Sequence, residues 1–379
     1  MKICVIGAGV FGAWCAKFLA DRGHRVTLVD AYGPANGRAS SADFSRVIRS
    51  GYGADRVYSQ WAAAAWSDWE WLCRESREPL LTRTGALFLG EPADPYVKDT
   101  YTTLVKLGFP AQWLTPFELS TRYPQMSVNG LGDAVLEENA GVVRARAAVR
   151  ALVRVLVDSA RVTFHHEPIA PIDEQRPTLQ VQTMRGTAVE GDAFVFACGP
   201  WLPSLFPVAV GARIRATRQE VLYFGTPPGS LSYSTSHLPV WIDFPAGLYG
   251  IPDLDGCGFK VGIDRHGEIV DPDLLERVVD QAVVNAARDT IARRFPGLRA
   301  APLVDAHVCQ YENTSSGDFL IDRHPLWPHC WIVGGGSGHG FKHGPSVGRH
   351  VADLVSGRGA VEPRFAFAAK TLAAQRAVY

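Results

Sequence analysis

The sequence predicts an α/β fold in which a Rossmann-like domain built on a parallel sheet is interleaved with a β-rich α+β domain. Three observations predict it. A short apolar strand at 2–6 runs into GAGVFG at 7–12 and then a helical stretch to Asp21. A second apolar run, 331–333, feeds GGGSGHGFKHGP at 334–345 and a closing helix to Leu354. Between them, from Arg213 to Ile263, the pattern is that of successive strands. With 379 residues the chain has room for two domains at about 150 residues each. The expected division gives the Rossmann-like domain 1–80, 141–212 and 306–379, and the second domain 81–140 and 213–305.

Lys2–Ile6, GAGVFG, the helix and the second apolar strand Arg25–Val29 ending in Asp30 make a βαβ unit with a Gly-x-Gly-x-x-Gly turn. Gly7 permits the tight turn, Gly9 lets backbone approach a pyrophosphate, and Gly12 lets helix pack on strand. The helix N-terminus offers free N–H groups to the phosphates, and Asp30 accepts from a ribose hydroxyl. This is a dinucleotide site, open at this stage to a flavin or a nicotinamide.

The segment 33–53 is rich in Gly, Ser and Arg and reads either as a solvated loop or as an anion-recognising segment beside the cofactor. On a helical turn its Arg46 and Arg49, three apart, would point the same way. Residues 57–77 read as a helix whose Trp61, Trp66, Trp69 and Trp71 suit a core. A strand is expected at 82–89, a helix at 96–107, turns at 110–123, an amphipathic helix at 145–159, and strands at 161–165, 179–183 and 193–197. Asp271-Pro272 reads as the N-cap and first turn of a helix to Phe295.

Composition narrows the function. Lys plus Arg and Asp plus Glu are 38 each, which excludes the excess positive charge that nucleic-acid and anionic-membrane binders use. Seven cysteines without a CxxC spacing make neither a disulfide framework nor a zinc site. The apolar N-terminus contains Lys17 and motif glycines, so it reads as structure and not as a signal peptide. No run has the roughly 18 apolar residues of a membrane span. The expectation is a soluble cytoplasmic protein. His339 and His343 are four apart but lack a further ligand at motif spacing, so no metal is expected.

Single residues leave alternatives open. Lys260, in GCGFKVGID, faces either solvent or the interior, where burial would lower its pKa. Cys309 reads locally as an inert thiol. Lys342 closes the glycine-rich loop, at a helix start, as a fixed positive charge.

Taken together these segments resemble the amine-oxidising flavoproteins of the D-amino-acid-oxidase superfamily, in particular the monomeric sarcosine oxidase and N-methyltryptophan oxidase group. The resemblance spans GAGVFG with Asp30, SRVIR (45–49), AGVVRARA (140–147), FACGPW (196–201), ATRQEVLYF (216–224), YGIPDLDGCGFKVGID (249–264), CQYENTSSGDFLID (309–322) and GSGHGFKHGP (336–345). It implies FAD, linked covalently through Cys309, and a cofactor cradle that includes Gly336, Gly338 and Gly340. It further implies that Arg49 and Lys342 clamp a substrate carboxylate, Arg46 lies against the flavin ring, Tyr311 and Tyr249 line the cavity, and Lys260 promotes oxygen reduction. The implied activity is oxidation of a carboxylate-bearing secondary or cyclic amine, by a monomer, with O2 reduced to H2O2. A flavin dehydrogenase using another acceptor is the alternative. Two departures stand out: Asp264 replaces the group's histidine, and SSADF precedes Arg46 without its usual histidines. An acid at 264 suits a cationic amine or a polar side chain, which brings cyclic amino or imino acids into range.

Overall fold

The apolar run Ile3–Ile6 lies in the middle of a six-stranded sheet, paired in parallel with Arg25–Asp30 on one side and Ala193–Phe196 on the other. A strand covered on both faces reads as a continuous apolar run and not as an alternation. The computed structural model describes residues 1–371. The sheet order is Leu320–Arg323, Cys330–Gly334, Ala193–Phe196, Lys2–Ile6, Arg25–Asp30, Val162–His166. Within it Leu320–Arg323 pairs antiparallel to its neighbour. The helices Val10–Asp21 and Gly344–Val355 pack without side chains between them at one point: a Cβ on Gly348 would lie 2.5 Å from the Trp14 backbone.

The long helix Arg56–Ser76 joins this core through its tryptophans, as expected. Trp69 is fully buried and meets Trp14 edge-on at 5.2 Å, while Trp61, Trp66 and Trp71 pack partly buried around them.

The β-rich part is an eight-stranded sheet ordered Leu303–Thr314, Ile214–Phe224, Phe259–Ile263, Leu248–Ile251, Val240–Asp243, Ala86–Leu89, Ala134–Glu137, Ala111–Leu114. Val284, Ala287 and Ile291 of the helix Gln281–Arg294 pack on its Leu222 and Phe259. The strand Leu303–Thr314 crosses the expected boundary at 305/306 and pairs with Ile214–Phe224 on both sides of it. A three-stranded sheet, Arg46–Ile48, Gly141–Val143 and Leu81–Arg83, holds the segment that follows Ser45.

Several local expectations change. The strand expected at 82–89 is two, Leu81–Arg83 and Ala86–Leu89, divided at Gly85 with φ +74°. The turns expected at 110–123 are a strand, Ala111–Leu114, and a helix, Pro116–Arg122, closed by a Thr115/Glu118 capping box. The helix expected to be capped by Asp271 begins nine residues later, capped by Asp280. Arg218 explains the delay: its guanidinium binds the carbonyls of Glu276 and Val278, which a helix would have used internally. Arg46 and Arg49 lie on and just after a strand, not on a helical turn, so they point to opposite sides.

Replacing Asp280 by Ala is expected to cost about 1 kcal/mol of stability in urea unfolding. Asp271→Ala is expected to cost less than about 0.5 kcal/mol, as an exposed turn residue. Equal losses would contradict this helix start.

Candidate active site

At the carboxyl ends of the parallel strands lies a cavity of about 620 Å³, bordered by Gly7, Gly9, Asp30, Cys198 and the 336–341 loop. Ligands of open α/β sheets bind at this edge. Two of the three motif glycines answer to packing. A Cβ on Gly7, where φ is +104°, would lie 2.4 Å from the Ala197 carbonyl oxygen, and one on Gly12 would lie 1.8 Å from that of Gly7. Gly9 is different: the nearest atom to its Cβ position is Ser41 Oγ at 3.5 Å, so its bare backbone faces the cavity.

The helix start beside Gly9 has no side-chain cap. Ser41 Oγ accepts the Val10 N–H at 3.1 Å and Gly9 O accepts that of Ala13, leaving the N–H groups of Phe11 and Gly12 without partners among the described residues. Asp30 is locked by accepting from Ala8 N at 2.7 Å and Tyr32 N at 2.9 Å, and burial pushes its pKa up. Across the cavity Glu312 is buried with one carboxylate oxygen unpartnered, and burial raises its pKa to about 7. Free N–H groups, a ribose-facing acid and an orphaned acceptor fit an extended dinucleotide. Gly336, Gly338 and Gly340 border the same space, and a Cβ on Gly338 would lie 2.6 Å from the Tyr311 ring.

Beside this cavity two cations are buried together. Arg49 is 7% exposed; its guanidinium donates to the Gly51 carbonyl and stacks on Tyr52 at 4.7 Å. Glu137 fastens the turn that follows by accepting the N–H groups of Ser50 and Gly51, and burial raises its own pKa to about 7. Lys342 Nζ donates to Tyr52 Oη at 2.8 Å and to His339 O at 2.9 Å. Tyr52 Oη in turn lies 2.8 Å from His343 Nε2, and Trp69 Nε1 holds the Lys342 carbonyl at 3.1 Å. Burial and the charge on Arg49 pull the Lys342 pKa well below its usual value. Asp264 is half-buried near both cations; burial raises its pKa to about 6 against their attraction, and its carboxylate has no hydrogen-bond partner among the described residues.

A second polar cluster was not foreseen. Lys260, 1% exposed, donates to Asp43 Oδ2 at 2.6 Å and to Ser45 O at 2.7 Å. Arg46 donates to the same Asp43 oxygen at 2.5 Å, and Tyr223 Oη donates to the other at 2.6 Å. Burial alone would push Asp43 up, but Lys260 and Arg46 hold it well below the usual carboxylate range. The other guanidinium nitrogen of Arg46 approaches Cys309 Sγ at 3.6 Å and donates to Ser40 O.

The sequence-predicted residues therefore fall into connected groups. Gly7, Gly9, Asp30, Arg46, Tyr311, Gly336, Gly338 and Gly340 border the large cavity. Gly12 packs behind it, and Cys309 lies off its lining but touches two residues on it, Arg46 and Ser40. Arg49, Lys342 and Asp264 form the cationic group, with the ring of Tyr249 crossing Gly262 two residues before Asp264. Lys260 borders a separate cavity of about 350 Å³, with Tyr223 and Ser45. Sequence reasoning missed Asp43, Tyr52, Glu137, Tyr223 and Glu312. Asp43 alone left a trace, as an acid three residues before Arg46.

From residue 2 to residue 354 the sequence matches the family described as FAD dependent oxidoreductase. The chain belongs to that family. Its cofactor is FAD, and it acts as an FAD-dependent oxidoreductase. It is similar to monomeric sarcosine oxidase of Streptomyces avermitilis, 30% identical over 93% of each chain. It is similar also to human peroxisomal sarcosine oxidase (29%, covering 92% of this chain and 90% of that one) and to N-methyl-L-tryptophan oxidase of Salmonella agona (25%, covering 94% and 95%). Among solved structures, L-proline dehydrogenase from P. horikoshii superposes with TM-score 0.83 at 19% identity, covering 97% and 96%. NikD, an amino acid oxidase of nikkomycin biosynthesis, superposes with TM-score 0.78 at 20% identity, covering 96% of each chain. These two show the fold alone. No helix of the described residues is long and apolar enough to cross a membrane.

Gly7→Ala is expected to give protein that purifies without flavin, because the added carbon collides with rigid backbone at the turn. Flavin absorbance at the native ratio to protein would contradict the placement of FAD.

Proposed function

We propose that this enzyme is an oxidase of secondary or cyclic amines that carry a carboxylate. The observation that carries this reading is the pairing of two buried cations, Arg49 and Lys342, with a carboxylate, Asp264, whose oxygens accept no hydrogen bond among the described residues. Buried like charges are costly unless something neutralises them. A substrate carboxylate does so, and the planar fork of Arg49 fixes its orientation. The names of the relatives agree: sarcosine and N-methyl-L-tryptophan are both N-methyl amino acids.

FAD would be held by the free N–H groups at Phe11 and Gly12, by Asp30 at the ribose, by the 336–340 loop and by Arg46, with Cys309 as the covalent link. When bound, FAD would supply two-electron oxidation of the C–H beside nitrogen, the electron pair and two protons going finally to O2 as H2O2. The chain's own part is positional. Arg49 and Lys342 hold the carboxylate, so the neighbouring carbon keeps one attitude, and positioning of this kind removes much of an encounter's entropic barrier. Tyr52 and Glu137 keep the clamp in place, Tyr52 through Lys342 and Glu137 through the turn after Arg49. Asp264 receives the amine or a polar side-chain group. Tyr311 and Tyr249 close the cavity sides. Lys260 supplies the positive charge that stabilises oxygen as it is reduced. The electron acceptor is O2, and the enzyme works as a monomer.

Arg49→Met is expected to raise KM for an N-alkyl or cyclic amino acid by about tenfold or more, the worth of a charge-assisted hydrogen bond. An unchanged KM would remove Arg49 from the clamp. After acid precipitation the yellow colour is expected in the pellet for the native enzyme and in the supernatant for Cys309→Ala. Colour released from the native enzyme would demote Cys309 to a core thiol.

A further inference from the structure

We propose that Asp43 is a positioning residue for the oxygen half-reaction: its carboxylate fixes the ammonium group of Lys260 and keeps it charged out of reach of water. This rests on the reading of Lys260 given under Proposed function. Lys260 lies in the Phe259–Ile263 strand, where Tyr223 is its cross-strand partner and Ile251 its partner on the other side. Two of its three N–H donors are spent, on Asp43 Oδ2 and Ser45 O, which fixes the direction of the third. Asp43 is itself held from three sides, by Arg46, by Tyr223 Oη and by the Phe44 N–H at 2.7 Å. Among the described residues it is the one acid in direct contact with Lys260.

The charge balance explains why an acid is needed. Burial pulls the Lys260 pKa from its usual value down to about 8; Asp43 works against this, and Arg46 works with it. Tyr223, Tyr249 and Cys309 face the same group from neighbouring strands. Across the second cavity stand Arg144, Arg146 and Arg150, with Asp255 and Cys257. With Asp43 present the pair Lys260 and Arg46 carries a net single positive charge. With an uncharged residue at 43, two buried cations would face one another, and the lysine is the one able to shed its proton. Asparagine has nearly the shape of aspartate but a single acceptor oxygen, for either Lys260 and Arg46 or Tyr223 and the Phe44 N–H, so Asp43→Asn removes the charge together with one of these two sets of bonds.

The test follows reoxidation by O2 of enzyme reduced anaerobically by substrate, across pH, alongside direct titration of Lys260. The titration follows the Nζ resonance of holoenzyme labelled at lysine nitrogen, assigned by its absence in Lys260→Met. In the native enzyme the midpoint is expected at about 8, with reoxidation falling above it. In Asp43→Asn the midpoint is expected at least about one unit lower, with reoxidation at pH 8 about fivefold slower than native or more and the difference closing as pH falls. Asp43→Glu restores the native profile. A native midpoint in Asp43→Asn, or faster reoxidation, overturns the proposal. If Asp43→Asn does not fold, Asp43→Ser also removes the charge and carries the same expectation. Lys260→Met separates the two claims: native-like reoxidation in that variant sinks the oxygen role of Lys260, while the resonance still decides what Asp43 does.

Discussion

Positive charge held away from water is the constraint around which this molecule is arranged. Lys260, Arg49 and Lys342 are each less than a tenth exposed, and Arg46 is mostly covered. A buried charge persists only where partners replace the lost hydration. The two clusters meet that requirement differently. Around Lys260 the compensation is internal, through Asp43 and the Ser45 carbonyl. Around Arg49 and Lys342 it is partial, because Glu137 spends its oxygens on backbone N–H groups and Asp264 accepts no hydrogen bond among the described residues. The cluster whose donors are already bonded within the chain suits a permanent electrostatic device; the other suits an anionic ligand that comes and goes.

Strand register brings the two clusters within one sheet. Gln219 pairs with Cys309, Thr217 with Tyr311, Tyr223 with Lys260, and Tyr249 with Gly262, so the thiol, Tyr311, the lysine and Tyr249 lie on three of four adjacent strands. The other half of each cluster comes from the segment 40–52 and from the 336–343 loop. Trp69 ties that loop to the tryptophan helix through the Lys342 carbonyl and by stacking on Phe341 at 5.6 Å. A hydrophobic element packed on the parallel-sheet core therefore sets the position of Lys342.

The βαβ unit and the glycine loop were legible because their chemistry is local: a positive φ at Gly7 and the close approaches at Gly7 and Gly12 admit no side chain. Cavity-bordering residues carried over by resemblance came out in connected groups for the same reason, since each sits in a short motif. What the sequence hid is non-local. Asp43 gains its meaning from Lys260, 217 positions away, and Glu137 from Ser50, 87 away. The delayed helix start at Gln281 depends on Arg218 reaching carbonyls about sixty residues on. The misread relation of Arg46 to Arg49 came from assuming a helical period where three residues of strand run.

The measurement closest to the central claim is anaerobic reduction of the flavin by matched pairs of amines, an N-methyl or cyclic amino acid against the same amine without its carboxylate. The account predicts that the carboxylate-bearing member bleaches the flavin and that its partner does so far more slowly at equal concentration. Equal rates for the two members would mean that Arg49 and Lys342 do not hold a carboxylate, and the reading of the site would fall with them.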